Sequence, residues 1–437
     1  MTEPVRFVST RAAGPGSVTI SDAIRQGLAP DGGLYVPTRL PAVDVHALRE
    51  AVRLPDVARG ALAGFFEKDP LEPQLGGIVE AALDLPAPTT AVGAARDRLF
   101  VLELYHGPTA AFKDFGARFL AETLARLESS APRPLTILVA TSGDTGGAVA
   151  AAFHRRAWAR VVILYPKGLV SPRQEQQLTC WGDNVLSLRI DGTFDDCQRL
   201  AKEAFLDAPL AARHRLSSAN SINIGRLLPQ MAYYAASSMQ VERLAGGKAC
   251  YVIPAGNLGN AFAAVWARSL GFPIGRIVLA HNANRTVPDF LESGQWRPRP
   301  SIATIASAMD VGNPSNMERV RAQYPTLDAV RAQLSADSVD DAAIRARIAA
   351  DFSRYGRQWC PHTATAAEVY ERLPPDERRA HPWVLVATAH AAKFNEIVEP
   401  LIGRQVPVPP SLERLLRMPR HVRDLPATLA ALGGALE

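Results

Sequence analysis

Thr136-Ile-Leu-Val-Ala-Thr141 runs into Ser142-Gly-Asp-Thr-Gly-Gly147 and then into the alanine-rich stretch Ala148–Arg156. An apolar run of strand length, a glycine-rich turn and a helical stretch make one unit of a strand–helix alternation. It continues with a strand at Arg160-Val-Val-Ile-Leu-Tyr165, a helix over Pro172–Trp181, a strand over Val185–Ile190 and a helix over Thr193–Leu206. Thr193 and Asp196 have the spacing of a capping pair at the start of the last helix. Strands apolar on both faces, each followed by a helix, predict a parallel sheet covered on both sides.

The pattern returns further on. Tyr251-Val-Ile-Pro254 leads through Gly256-Asn-Leu-Gly-Asn260 into a helix over Ala261–Leu270, which stops at Gly271 and Pro273. Arg276–Ala280 is the next strand, and Trp383-Val-Leu-Val-Ala387 enters Thr388-Ala-His390 and a helix through Glu399. Pro298–Pro314 is expected to be loop, and the residues after Pro407 a helical tail. The first 95 residues show short helical patterns between Pro and Gly turns.

With 437 residues, 47% of them hydrophobic, the chain can bury a large core in about two or three domains. That composition excludes a disordered, collagen-like or disulfide-held protein. The net charge of +5 arises from 48 Lys+Arg against 43 Asp+Glu. It is spread thinly, with no basic stripe interleaved with aromatics, so a small anionic ligand is favoured over nucleic acid. The cysteines at 180, 197, 250 and 360 form no CxxC pair or zinc-spaced cluster. Free thiols in a reducing compartment and no metal site are therefore expected. Met1–Ser9 lacks an apolar signal core, and the apolar runs are too short to span a bilayer. The expectation is a cytoplasmic protein, monomeric or homodimeric, acting on a small molecule.

In parallel α/β folds ligands gather where strands end and helices begin, and three such points here carry unusual residues. Gly256-Asn257-Leu258-Gly259-Asn260 puts backbone N–H groups and a helix start around a site for a phosphate, or forms a tight turn with no ligand. Ser142-Gly143-Asp144-Thr145-Gly146 offers hydroxyls and N–H groups to a carboxylate or phosphate, or simply caps its helix. His106-Gly-Pro-Thr-Ala-Ala-Phe112-Lys113-Asp114-Phe115 sets one lysine between two phenylalanines. Apolar surroundings disfavour an ammonium, and a neutral lysine forms a Schiff base with a carbonyl. Asp114 opposes this unless it points outward. A Schiff-base lysine, a phosphate loop and a carboxylate loop together point to a pyridoxal phosphate site.

These motifs also carry a family resemblance. Ser9-Thr10-Arg11 with Gly27–Pro37, the lysine motif His106–Phe115, the Ser142–Gly146 loop and Asn220–Gln230 resemble threonine synthases of the bacterial and fungal type. Met309-Asp310 with Pro314-Ser315-Asn316, and Thr388–Phe394, extend the likeness over nearly the whole chain. The resemblance implies an α/β enzyme of pyridoxal phosphate fold type II (tryptophan synthase β-like), with two doubly wound α/β domains and the cofactor in the cleft between them. The expected division is an N-terminal region 1–95, a large domain of 96–128 and 232–437, and a small domain of 129–231.

By the same resemblance, Lys113 binds the cofactor covalently and acts in catalysis. Gly256, Asn257, Leu258, Gly259 and Asn260 cradle its phosphate, Thr388 meets its pyridine nitrogen, and Asp144 lies near its phenolic oxygen. Ser142, Gly143 and Thr145 would hold the substrate α-carboxylate. Asn220, Ser221, Asn223 and Arg226 would bind the substrate phosphate, with Lys393 and Arg11 as further candidates. His106, Asp310 and His390 are possible supporting groups, and His362 and His390 read best as structural histidines. Leu258, Ala391, His281 and Arg285 depart from the family pattern, in place of Phe, Pro, Thr and Asp. The implied reaction turns O-phospho-L-homoserine and water into L-threonine and phosphate. The alternatives are a phospholyase on that substrate, a γ-replacement enzyme of secondary metabolism, and a non-catalytic phosphate or amino-acid binding module.

Overall fold

The computed structural model describes residues 3–11, 16–94 and 97–437. Close to the N-terminus, β1 (Phe7–Ser9) pairs antiparallel with β2 (Tyr35–Pro37). The helix Leu54–Leu62 buries Val57, Ala58, Ala61 and Leu62, one apolar face at helical spacing, and packs on the helix Gln230–Ala245. β3 (Thr89–Ala91) then pairs antiparallel with β4 (Leu99–Glu103).

The central alternation folds as the apolar runs predict. β5 (Leu135–Ala140), β6 (Ala159–Pro166), β7 (Val185–Asp191) and β8 (Leu216–Ser218) are all parallel, in the order β7-β6-β5-β8. Thr193 caps the helix Phe194–Leu206 in a full capping box with Asp196. A second sheet collects β9 (Ala249–Pro254), β10 (Ile274–His281), β11 (Ser335–Ser338) and β12 (Trp383–Ala387). With β3 and β4 its order is β11-β10-β9-β12-β4-β3. Every residue of β4, β5, β9 and β12 is buried, which is why those runs show no alternation.

The tail is helical over Pro410–Leu416 and Leu429–Leu436, as expected, but a strand lies between the two helices. β13 (Arg423–Pro426) adds to the edge of β7 in parallel register. Leu425, Leu432, Ala435 and Leu436 then join the core formed by Leu138, Val162, Leu188 and Leu200. This stretch therefore belongs with the smaller sheet and departs from the assignment of all of 232–437 to the large domain.

Two helices also begin earlier than expected. One runs Asp144–Phe153 and the other Gly259–Ser269. Each is preceded by one residue of positive φ, Gly143 at 137° and Leu258 at 62°. That reversal brings the helix start inside the glycine motif, so the free N–H groups of the first turn lie at the strand end. Among the described residues no helix is long and apolar enough to cross a membrane.

Candidate active site

The lysine motif is fixed by backbone pairing with the end of β12. Phe112 N–H donates to Thr388 O at 2.8 Å, His390 N–H donates to Ala110 O at 3.0 Å, and Ala111 bridges Ala389. Ala110 takes a φ of 53° to make this possible. Lys113 and Thr388 are thereby neighbours although they lie far apart in the chain.

Lys113 opens the helix Lys113–Glu128 and is half-buried, with its Nζ 4.7 Å from the Phe112 ring centre. Loss of hydration, helped by the cations Arg226 and Lys393 and opposed by Asp144, lowers its pKa to about 8. Asp114 is buried, not outward as the lysine reading preferred. Its carboxylate accepts from Thr109 N–H at 2.9 Å and Thr109 Oγ1–H at 2.7 Å, and burial raises its pKa to about 6. It is therefore committed to the turn.

Gly256 lies where a Cβ would come within 2.9 Å of Met309 Cα, so the 309 segment closes directly over the loop. The Asn257 side chain is fully engaged with the protein, donating to Ser221 Oγ at 2.7 Å and accepting from Ser315 N–H at 2.5 Å. Its backbone carbonyl accepts from Asn316 Nδ2 at 2.9 Å, so its backbone N–H is what remains for a ligand. Leu258 is buried and supplies the left-handed turn. Asn260 Oδ1 accepts from the hydroxyls of Tyr233 (2.6 Å) and Tyr234 (2.8 Å), while its buried Nδ2 has no partner. A buried amide donor without an acceptor, beside the start of the helix Gly259–Ser269, is what an oxyanion would satisfy.

At the other loop, Thr141 Oγ1 takes the N–H groups of Gly143 (3.0 Å) and Gly146 (2.9 Å). Gly143 therefore contributes through its φ rather than its N–H, and a Cβ there would meet the Gln174 amide at 2.6 Å. Ser142 and Thr145 remain part-exposed at the mouth of the loop. Asp144 is buried and paired with Lys393 at 2.7 Å, and it also accepts from Gln174 Nε2 at 3.0 Å. Burial works to raise its pKa, but Lys393, His362 and Gln174 together hold it below the usual carboxylate value.

The Asn220–Arg226 group divides. Asn220 Oδ1 is buried without a partner, and Ser221 Oγ accepts from Asn257. Asn223 is a correction: it is fully buried, donates to Ile24 O and Ser218 O, and accepts from Gly225 N–H at 2.9 Å. Its polar atoms anchor the loop and leave nothing for a ligand. Arg226 is 2% exposed, donates to Ala219 O and leaves Nε unpartnered against Gly116, one turn along the lysine helix. Arg11 points elsewhere, paired at the surface with Glu318 at 3.1 Å.

His106, His362 and His390 each have a partner. His106 pairs with Glu103 at 2.9 Å, His362 Nε2 accepts from Ala308 N–H at 3.1 Å, and His390 Nδ1 accepts from Ala392 N–H at 3.1 Å. Asp310 accepts from Thr304 and Asn282, with its pKa raised to about 7 by burial. Sequence reasoning missed Gln174 and Tyr233/Tyr234, whose residue types carry no signal of their position. Among the described residues no group of three His, Cys, Asp or Glu side chains is placed to hold a metal.

A half-buried amine of lowered pKa, a strand end at Thr388 paired with the loop before Lys113 and an unpartnered amide at a glycine-rich helix start all fit pyridoxal phosphate. With two parallel-sheet units around them, they define a pyridoxal-phosphate-dependent enzyme of fold type II. The profile of the family "Pyridoxal-phosphate dependent enzyme" matches residues 80–389; those for "Threonine synthase N terminus" and "Threonine synthase, C-terminal" match 6–83 and 363–434. The chain is 40% identical over 417 residues to threonine synthase of Serratia marcescens, and 39% over 417 to that of Escherichia coli, with 95% of each chain covered in both cases. The crystal structure of the Escherichia coli threonine synthase superposes with a TM-score of 0.89 at 36% identity over 99% of both chains. The PLP-bound threonine synthase from Brucella melitensis gives 0.90 at 32% over 99% of this chain and 98% of that one. The chain belongs to the threonine synthase family.

Proposed function

We propose that this enzyme converts O-phospho-L-homoserine and water to L-threonine and inorganic phosphate. The observation that carries the reading is the presence, with the Lys113 amine of lowered pKa, of two buried donors without acceptors, Asn260 Nδ2 and Arg226 Nε. A cofactor phosphate and a substrate phosphate require two such places.

Lys113 would hold pyridoxal phosphate, with Gly256, Gly259, Asn260 and the backbone of Asn257 and Leu258 around its phosphate and Thr388 at the pyridine nitrogen. When bound, that group withdraws electrons and stabilises negative charge at the substrate α- and β-carbons. Ser142 and Thr145 orient the α-carboxylate, with Gly143 shaping their loop. The Lys113 amine, once free, takes the proton from Cα, and a second proton leaves Cβ. The Cγ–O bond then breaks, and its electron pair departs with the phosphate toward Arg226. A proton reaches Cγ to make the methyl group; water then gives up a proton as its oxygen bonds to Cβ, and Cα regains a proton, which restores the amino-acid carbon. Lys113 serves these transfers because its pKa leaves a usable neutral fraction near pH 7. The cleft is proposed to lie between a small domain of 129–231, completed by 423–436, and a large one formed by 96–128 and 232–422.

Incubation with O-phospho-L-homoserine followed by product analysis tests the reading. Threonine and phosphate in equal amounts are expected. 2-Oxobutyrate with ammonia would make the enzyme a phospholyase; an adduct of another nucleophile would make it a γ-replacement catalyst. A colourless protein that leaves the substrate intact would be a binding module. Gly256→Ala should weaken cofactor binding by about 5- to 150-fold in a spectrophotometric titration, because overpacking against Met309 costs roughly 1–3 kcal/mol.

A further inference from the structure

Lys393 lies in the turn Ala391–Phe394 that follows β12, and its side chain is 1% exposed. Its ammonium lies 2.7 Å from Asp144 Oδ1 and donates to Thr109 O at 2.9 Å. The turn is clamped from the other side as well. Ser171 Oγ–H donates to Lys393 O at 3.1 Å, Arg173 donates to Ala392 O, and Gln174 adds the further hydrogen bond to Asp144. One buried cation thus ties together the loop that leads to Lys113, the turn after Thr388 and the start of the helix Asp144–Phe153.

The charged and titratable groups whose fields act on the Lys113 amine, or feel its charge, are Arg226, Lys393, His362 and Asp144. Asp144 is the carboxylate of this set, and His362 is kept neutral by burial, with its pKa lowered to about 4. A carboxylate free to approach an amine raises its pKa by roughly 1–3 units, which would leave Lys113 protonated and unreactive. We propose that Lys393 is a positioning residue that closes the Asp144 carboxylate into an ion pair, so that Asp144 does not pair with Lys113 and a usable neutral fraction of that amine persists. The inference rests on the reading of Lys113 as the cofactor amine. A stabilising pair alone would tie the loops together but leave the titration of Lys113 unchanged.

The test is the pH dependence of pyridoxal phosphate capture by the cofactor-free full-length chain, followed at the visible band. The wild-type rate should rise with a midpoint near pH 8. Lys393→Met should move that midpoint up by about one unit or more, and Asp144→Asn should move it down. The double variant, again balanced in charge, should return it to the wild-type position. A wild-type midpoint in Lys393→Met overturns the proposal. If that variant does not fold, a wild-type midpoint in Asp144→Asn does so, as does a double variant whose midpoint differs from wild type. Absence of a visible band in the wild type would instead refute the reading of Lys113 itself.

Discussion

Lys113→Ala is expected to remove the visible absorption of the cofactor-loaded enzyme and to lower threonine formation by about a thousandfold or more. Covalent anchoring and proton transfer both reside in that amine, and a positioned general base alone contributes roughly 10²–10⁴-fold. The loss should not come from unfolding. The Lys113 side chain is half-buried and makes no ion pair among the described residues, so truncation should change stability by only about 1 kcal/mol. Threonine release, the visible spectrum and a thermal melt on one preparation check all three statements. A variant that keeps its colour and turnover would refute the assignment.

Arg226→Met is the second large effect. A charge-assisted hydrogen bond contributes about 1.5–3 kcal/mol, so losing the donor to the substrate phosphate should lower kcat/KM by roughly one to two decades. Arg226 is buried, has no carboxylate partner among the described residues and leaves Nε without an acceptor. Loss of hydration lowers its pKa to about 10, which still leaves it charged at neutral pH. Such a cation is costly to keep unless an anion visits it. Arg11→Gln is the contrast: its partner is the surface residue Glu318, and kcat/KM should be unchanged. Steady-state kinetics with O-phospho-L-homoserine on both variants distinguish a substrate cation from a general loss of positive charge.

The parts of the fold that were legible are those whose local chemistry is one-sided. Leu135–Ala140, Ala249–Pro254 and Trp383–Ala387 are apolar on both faces and could only be interior strands. β13 was not legible, because Arg423-Asp-Leu-Pro buries Leu425 alone and depends on the exposed edge of β7 for its existence. The glycine motifs disclosed their positions but not their mechanics. Asn257 and Asn223 are residue types that bind phosphates, yet their side chains are used to fasten loops. Lys393 shows the same limit from the other side. A lysine is ordinarily a surface charge, and its partner Asp144 lies in another part of the chain, so the burial of the pair is visible only after folding.

The whole account depends on where the cofactor is attached. Borohydride reduction of the loaded enzyme, proteolysis and mass mapping of the pyridoxyl-labelled peptide locate that attachment directly. One label per chain on the peptide containing Lys113 is the expected result. A label on Lys393 or any other lysine, or no label in a protein that still makes threonine, would contradict it.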